Sequence, residues 1–144
     1  MSETLPPDDR RTIDPRRGQL RTVTELPADQ PITMLNLLRF REVADYSNAG
    51  DLAPAKPISG ADAYRVYSRG ALAHLEKAGA EVVLQGDCGP TVIGPIDESW
   101  DSILVVRYPS PAAFVEMVTS PEYQSLTRHR TAAVADSRLI ATTA

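Results

Sequence analysis

Two stretches of this chain, Ile32–Phe40 and Ser102–Tyr108, carry apolar residues on both faces of an extended backbone. This constrains the fold more than any other feature. Successive side chains of a strand point to opposite sides, so a strand that is apolar on both sides must be covered on both. The second stretch is β-branched and sharply bounded. Pro109 ends it, Ser110 is placed to cap a helix with Pro111 at its first position, and Ser120-Pro121 repeats the device further on.

Residues 1–12 are polar, charged and proline-containing, and are expected to fray or drape over the surface. Asp14-Pro15 resembles an N-cap followed by a first-turn proline, and Leu20, Val23 and Leu26 then form a short helical stripe that stops before Pro27. Residues 1–30 thus read as an N-terminal extension with a short helix, and residues 31–144 as one domain. Residues 41–57 are poor in hydrophobic groups and contain Asn48, Gly50 and two prolines, the pattern of an insertion loop that is either mobile or functional. Ser59 opens the strongest helix. Asp62 stands where a capping-box acid belongs, Tyr64, Tyr67, Ala71, Leu75 and Ala78 share one stripe, and Gly79 occupies the C-terminal cap. Short strands are predicted at 81–85 and 91–93 around a glycine-rich turn at 86–90. Helices at 110–118 and 121–135 and a last strand at 138–141 complete the chain.

The order is β-α-β-β-α-β, with an extra helix in front and a divided second helix. It predicts an α+β fold, a ferredoxin-like sandwich with an antiparallel sheet. The helices can cover only one sheet face, so the doubly apolar strands need a second cover, and a second copy of the chain is the economical one. The expected assembly is a homodimer in which two sheets face each other around a barrel-like interior, burying more than roughly 1,600 Å² in total.

The chain has 144 residues, enough for one domain with a sizeable core. Its net charge of −4 gives it no basic footprint for nucleic acid. No apolar run approaches membrane-spanning length, and the first residues do not resemble a signal peptide. A single cysteine, Cys88, excludes an intrachain disulfide and a cysteine metal cluster, and two histidines add few further ligands. The expectation is a cytoplasmic protein with no nucleic-acid or membrane partner, no metal and no cofactor.

The run from Trp100 to Ser110, followed by Ser120-Pro-Glu-Tyr-Gln124 and Arg130, resembles the DUF1330 family of the dimeric α+β barrel superfamily. Ala63, Tyr64 and Tyr67 fit that family's first helix. Met34–Leu38 and the run from Ala135 to Ile140 look like a longer branch of it. The resemblance spans about residues 31–141. It implies the ferredoxin-like fold and a dimer, and no established reaction. Gln85-Gly-Asp87 replaces the family's usual Arg-Gly-Gly, and Arg107 stands where the family often has Glu. The wider superfamily includes cofactor-free monooxygenases, muconolactone-isomerase-like enzymes, haem-handling proteins and regulators.

Arg130 follows Tyr123 by seven residues, so both lie on one helix face with Leu126 and Ala133. A guanidinium on an apolar stripe needs a counter-charge. Either it pairs with Asp136, Asp101 or Glu81, or it anchors an acidic small molecule. His74 is in line with Tyr67, Ala71 and Ala78, as a packing residue or as a general base at a pocket edge. His129 reads as a rim residue. Asn36, inside an apolar strand, either ties strands together or orients a ligand. Arg39 and Arg107 either snorkel to water or line a cleft mouth. Trp100 either packs or forms a stacking lid. Cys88 has no activating neighbour, so it does not read as a nucleophile. Asp97 and Glu98 read as solvated.

Three functions compete. The first is a small-molecule-binding protein or cofactor-independent enzyme acting on a small organic metabolite, acidic if Arg130 is its anchor, with a pocket between sheet and helices lined by Asn36, Tyr67, Trp100, Tyr123 and Arg130, and with His74 as the candidate base. The second is a non-catalytic homodimeric scaffold that binds a partner through the 41–57 loop. The third is haem handling, which needs an axial histidine facing a wide cavity.

Overall fold

The computed structural model describes residues 13–16 and 18–143. The segment expected to fray, residues 1–12, lies outside the described residues. A short helix, α1 (Gln19–Thr24), precedes strand β1 (Ile32–Phe40). Helix α2 (Gly60–Lys77) leads to β2 (Glu81–Asp87) and β3 (Ser102–Tyr108). Helices α3 (Pro111–Thr119) and α4 (Pro121–Ala133) lead to β4 (Val134–Thr142). The four strands form one antiparallel sheet in the order β2-β3-β1-β4. The fold is α+β and ferredoxin-like, as the element order requires.

The serine-proline devices work as their chemistry predicts. Ser59 Oγ accepts from the Asp62 amide at 3.0 Å, Ser110 Oγ from the Ala113 amide at 3.1 Å, and Ser120 Oγ from the Tyr123 amide at 3.3 Å. Gly79 has φ 72°, the left-handed turn that a helix C-terminus favours glycine for.

Three local expectations are corrected, and the insertion loop is seen in detail. Asp14-Pro15 does not start α1; Gly18, with φ 96°, precedes its first residue. Residues 91–93 are not a strand, because they lie in a long arm between β2 and β3, bracketed by Gly89-Pro90 and Gly94-Pro95, with no neighbouring strand to pair with. Helix α4 stops at Ala133 rather than residue 135, and β4 starts at once rather than at residue 138, because Val134 and Asp136 already pair with Phe40 and Arg39. Residues 41–57 hold a short 3-10 turn, Gly50–Leu52, and are pinned to α4. The Asp45 amide donates to the Ala132 carbonyl at 2.8 Å, and Arg128 pairs with Asp51.

Strand parity sorts the sheet into two faces. Ile32, Met34, Leu38, Val106 and Tyr108 are buried against the helices. Among the described residues, no element packs on the opposite face. Across it runs a continuous apolar row, Leu84–Val105–Leu35–Ile140, one residue from each strand. Leu84 and Ile140 are 51% and 52% exposed. No helix among the described residues is long and apolar enough to cross a membrane.

Candidate functional site

Between the helix-facing side of the sheet and the helices lies a half-open cavity of about 1470 Å³. Its walls are apolar where Met34 and Val106 of the sheet meet Phe114 of α3 and Leu20 and Val23 of α1. One set of its polar groups meets along α4. Tyr64 and Tyr67 enter from α2 and Tyr123 and Arg130 from α4; Asn36 comes from β1 and Ser137 from β4. Helical spacing explains the α4 pair: seven residues are two turns, so both side chains leave the same face.

The tyrosines form a connected cluster. The Tyr67 and Tyr123 hydroxyls are hydrogen-bonded to each other, and their rings meet edge to face at 6.2 Å. Tyr64 stacks obliquely on Tyr67 at 5.3 Å and on Phe40 at 5.2 Å. Burial pushes the ionisation of Tyr64, Tyr67, Tyr108 and Tyr123 above the ordinary phenol value of 10. The Arg130 charge pulls Tyr64, Tyr67 and Tyr123 the other way, less strongly. These phenols are therefore neutral hydrogen-bonding groups at neutral pH, set around a cation.

Arg130 pairs with none of the three carboxylates that the sequence offers it. Parity explains the missing Asp136 partner. Ser137 faces the cavity, while its neighbour Asp136 points to the bare face and takes Arg138 at 2.8 Å and Arg39 at 3.8 Å. Arg130 instead donates one terminal nitrogen to the Ile13 backbone carbonyl and the other to Ser137 Oγ at 3.4 Å. Both acceptors are neutral.

Asn36 lines the cavity, and its side-chain amide donates to the Leu104 carbonyl at 3.1 Å, which ties β1 to β3. Two candidates lie elsewhere. Trp100 is outside the cavity, its ring 5.1 Å beneath the Arg138 guanidinium. His74 is also outside, its ring edge-on to Tyr123 at 5.5 Å. His129 is bonded through Nδ1 to the Tyr46 hydroxyl at 2.8 Å, and burial, then the Arg128 charge, lowers its basicity. Neither histidine faces the cavity, so the geometry that haem handling needs is not met, nor does a histidine stand where a pocket base would. No cluster of three metal-ligating side chains occurs among the described residues. Cys88 ionises less readily than a free thiol, because of burial and then the charges of Asp101 and Asp87. Sequence reasoning misses Tyr64 as a site residue, although its place one turn before Tyr67 signals it. It also misses Ser137 and the Ile13 carbonyl.

The family profile described as a domain of unknown function, DUF1330, matches residues 56–143. The chain belongs to the DUF1330 family. Within that family's fold, the chain is similar to the RPA0582 protein of unknown function from Rhodopseudomonas palustris, at 40% identity over 92% of this chain and 95% of that one, with a TM-score of 0.80. The methylated RPA0582 protein gives 39% identity over 94% and 96%, with a TM-score of 0.84. A dimeric ferredoxin-like protein of unknown function from Bacteroides fragilis is 11% identical over 82% of this chain and 100% of its own, with a TM-score of 0.50, which is a likeness of fold alone. No curated protein matches. The DUF1330 match includes Tyr64, Tyr67, Tyr123, Arg130 and Ser137 but begins after Asn36 and Ile13.

Proposed function

We propose that this protein binds a small organic acid in the cavity between its sheet and helices. One observation carries the reading: a cationic side chain enters the cavity among neutral phenols and beside its apolar wall, with no carboxylate partner among the described residues. Such a guanidinium favours an incoming anion, because charge-assisted hydrogen bonds are stronger than those to neutral acceptors. The ligand's carboxylate sits at Arg130. Its apolar body lies against Met34, Val106 and Phe114, and the Tyr67–Tyr123 pair and Asn36 orient its remaining polar atoms. Binding is favoured over base catalysis because His74 stands behind Tyr123, outside the cavity. A second copy of the chain covers the bare face of the sheet.

The test compares sodium benzoate with benzamide, which has the same shape and no charge. A ligand that binds the folded state raises the unfolding temperature. Benzoate at millimolar concentration is expected to raise it, benzamide to leave it unchanged, and Arg130→Gln to abolish the benzoate effect. Equal shifts with both compounds, or none with benzoate, would overturn the acid-binding reading.

A further inference from the structure

The anion-binding end of the cavity is already occupied by the chain itself. Ile13 packs against the core cluster, and its carbonyl takes one terminal nitrogen of Arg130. The next residue, Asp14, accepts from the Thr131 hydroxyl at 3.4 Å, one position along α4 from Arg130. Both Ile13 and Asp14 line the cavity. The remaining terminal nitrogen of Arg130 is held by Ser137. A carboxylate binds a guanidinium best through two parallel N–H groups. These two bonds use two of the five guanidinium N–H groups, and the Ile13 carbonyl takes one that a ligand carboxylate approaching from the cavity would share.

We propose that residues 13–16 are a strap across the acid site, and that a ligand carboxylate binds by displacing the Ile13 carbonyl from Arg130. This rests on the acid-binding reading above and adds a direction to it: strap closure and ligand binding oppose each other. The exchange replaces a neutral carbonyl by an anion on the same guanidinium, so the ligand has the stronger partner to offer. The hinge is Gly18. It has φ 96°, and a Cβ built there would have no neighbour within 4 Å. Only the left-handed backbone demands glycine at this point, not crowding. That separates strap strain from any damage to the cavity.

The linkage is measurable in the full chain. Gly18→Ala strains the closed strap without touching the site, and Asp14→Ala removes its tie to Thr131. A competitor that is weakened lets the ligand bind more tightly, whereas a wall that is weakened lets it bind less tightly. A left-handed alanine costs on the order of 1–2 kcal/mol, so benzoate affinity of Gly18→Ala is expected to rise by up to about thirtyfold in calorimetric titration. Asp14→Ala is expected to move in the same direction, and Asp14→Asn, which keeps an acceptor for Thr131, to move less than Asp14→Ala. Unchanged or weaker benzoate binding by Gly18→Ala, with binding by the parent intact, would overturn the strap and leave the acid site standing. Binding by none of the three variants or the parent would overturn the acid site, and the strap's role with it.

Discussion

The hydroxyls of Tyr67 and Tyr123 have each other as hydrogen-bond partner in the middle of a cavity wall. Their place is legible in the sequence, because helical spacing sets Tyr67 on the apolar stripe of α2 and Tyr123 in register with Arg130. Spacing fixes which face a residue leaves from, but not which neighbour meets it there. His74 shares the Tyr67 stripe, yet the ring of Tyr123 meets it before it reaches the cavity. Trp100 precedes a core strand, yet the course of the arm brings its ring to Arg138 on the other side of the sheet. The Ile13 carbonyl is a backbone atom, and no residue pattern could announce it. The buried phenols also make a pH dependence. In the folded chain Tyr64, Tyr67, Tyr108 and Tyr123 keep their protons above pH 10, while the unfolded chain releases them near 10. The unfolded state then binds fewer protons, so the contribution is intact below pH 10 and is lost as pH rises beyond it. Tyrosinate absorbance is expected to stay low through pH 10 and to climb together with loss of the circular dichroism signal. A gradual titration centred at 10 with the fold intact would contradict the buried cluster.

Elements meet in this molecule through close backbone approaches, and glycine marks the closest. At Gly60 the first turn of α2 touches the end of β1 and the junction between α4 and β4. Its amide donates to the Arg41 carbonyl at 3.0 Å, and the Arg41 amide donates to the Ala133 carbonyl at 2.8 Å. A Cβ at Gly60 would stand 2.5 Å from the Ala133 carbonyl oxygen and 2.7 Å from the Arg41 nitrogen, both backbone atoms. At Gly70 a Cβ would also come within 2.5 Å of a neighbour, but that neighbour is the Leu126 side-chain tip, which can rotate away. The same substitution should therefore separate the two sites. Gly60→Ala is expected to cost about 3 kcal/mol or more, since three elements must part. Gly70→Ala should cost about 1 kcal/mol or less, because the helix propensity gained offsets part of the repacking. Urea unfolding of both variants checks this, and equal losses would sink the argument. The helices and central strands are legible because caps and periodicity are local. Residues 91–93 and the α4–β4 junction are not, because a strand exists only where another strand offers it hydrogen bonds.

The doubly apolar strands that constrain the sequence become, in the folded chain, a sheet with one face under helices and the other open. The open face is not uniformly greasy. Glu81, Arg107, Arg39, Asp136 and Arg138 stand toward its two ends, and the apolar row Leu84–Val105–Leu35–Ile140 crosses all four strands between them. That layout, an apolar band with charged margins, is how subunit interfaces are built. It supports the second copy as cover, since a twofold axis through the band would lay one row against the other and leave the charges at the rim. Light scattering at micromolar concentration is expected to give twice the 15.6 kDa chain mass. Leu35 is central to the row and points away from the cavity, so Leu35→Asp places a charge in the proposed contact without entering the acid site. It should shift the mass to that of one chain while the helical circular dichroism signal persists. Leu84→Lys, on the edge strand, provides the same reading if the central substitution impairs folding. A parent chain of single-subunit mass, soluble and folded, would leave the bare face without its partner and remove the dimer from this proposal, whereas the acid site, closed by this chain's own residues, would stand.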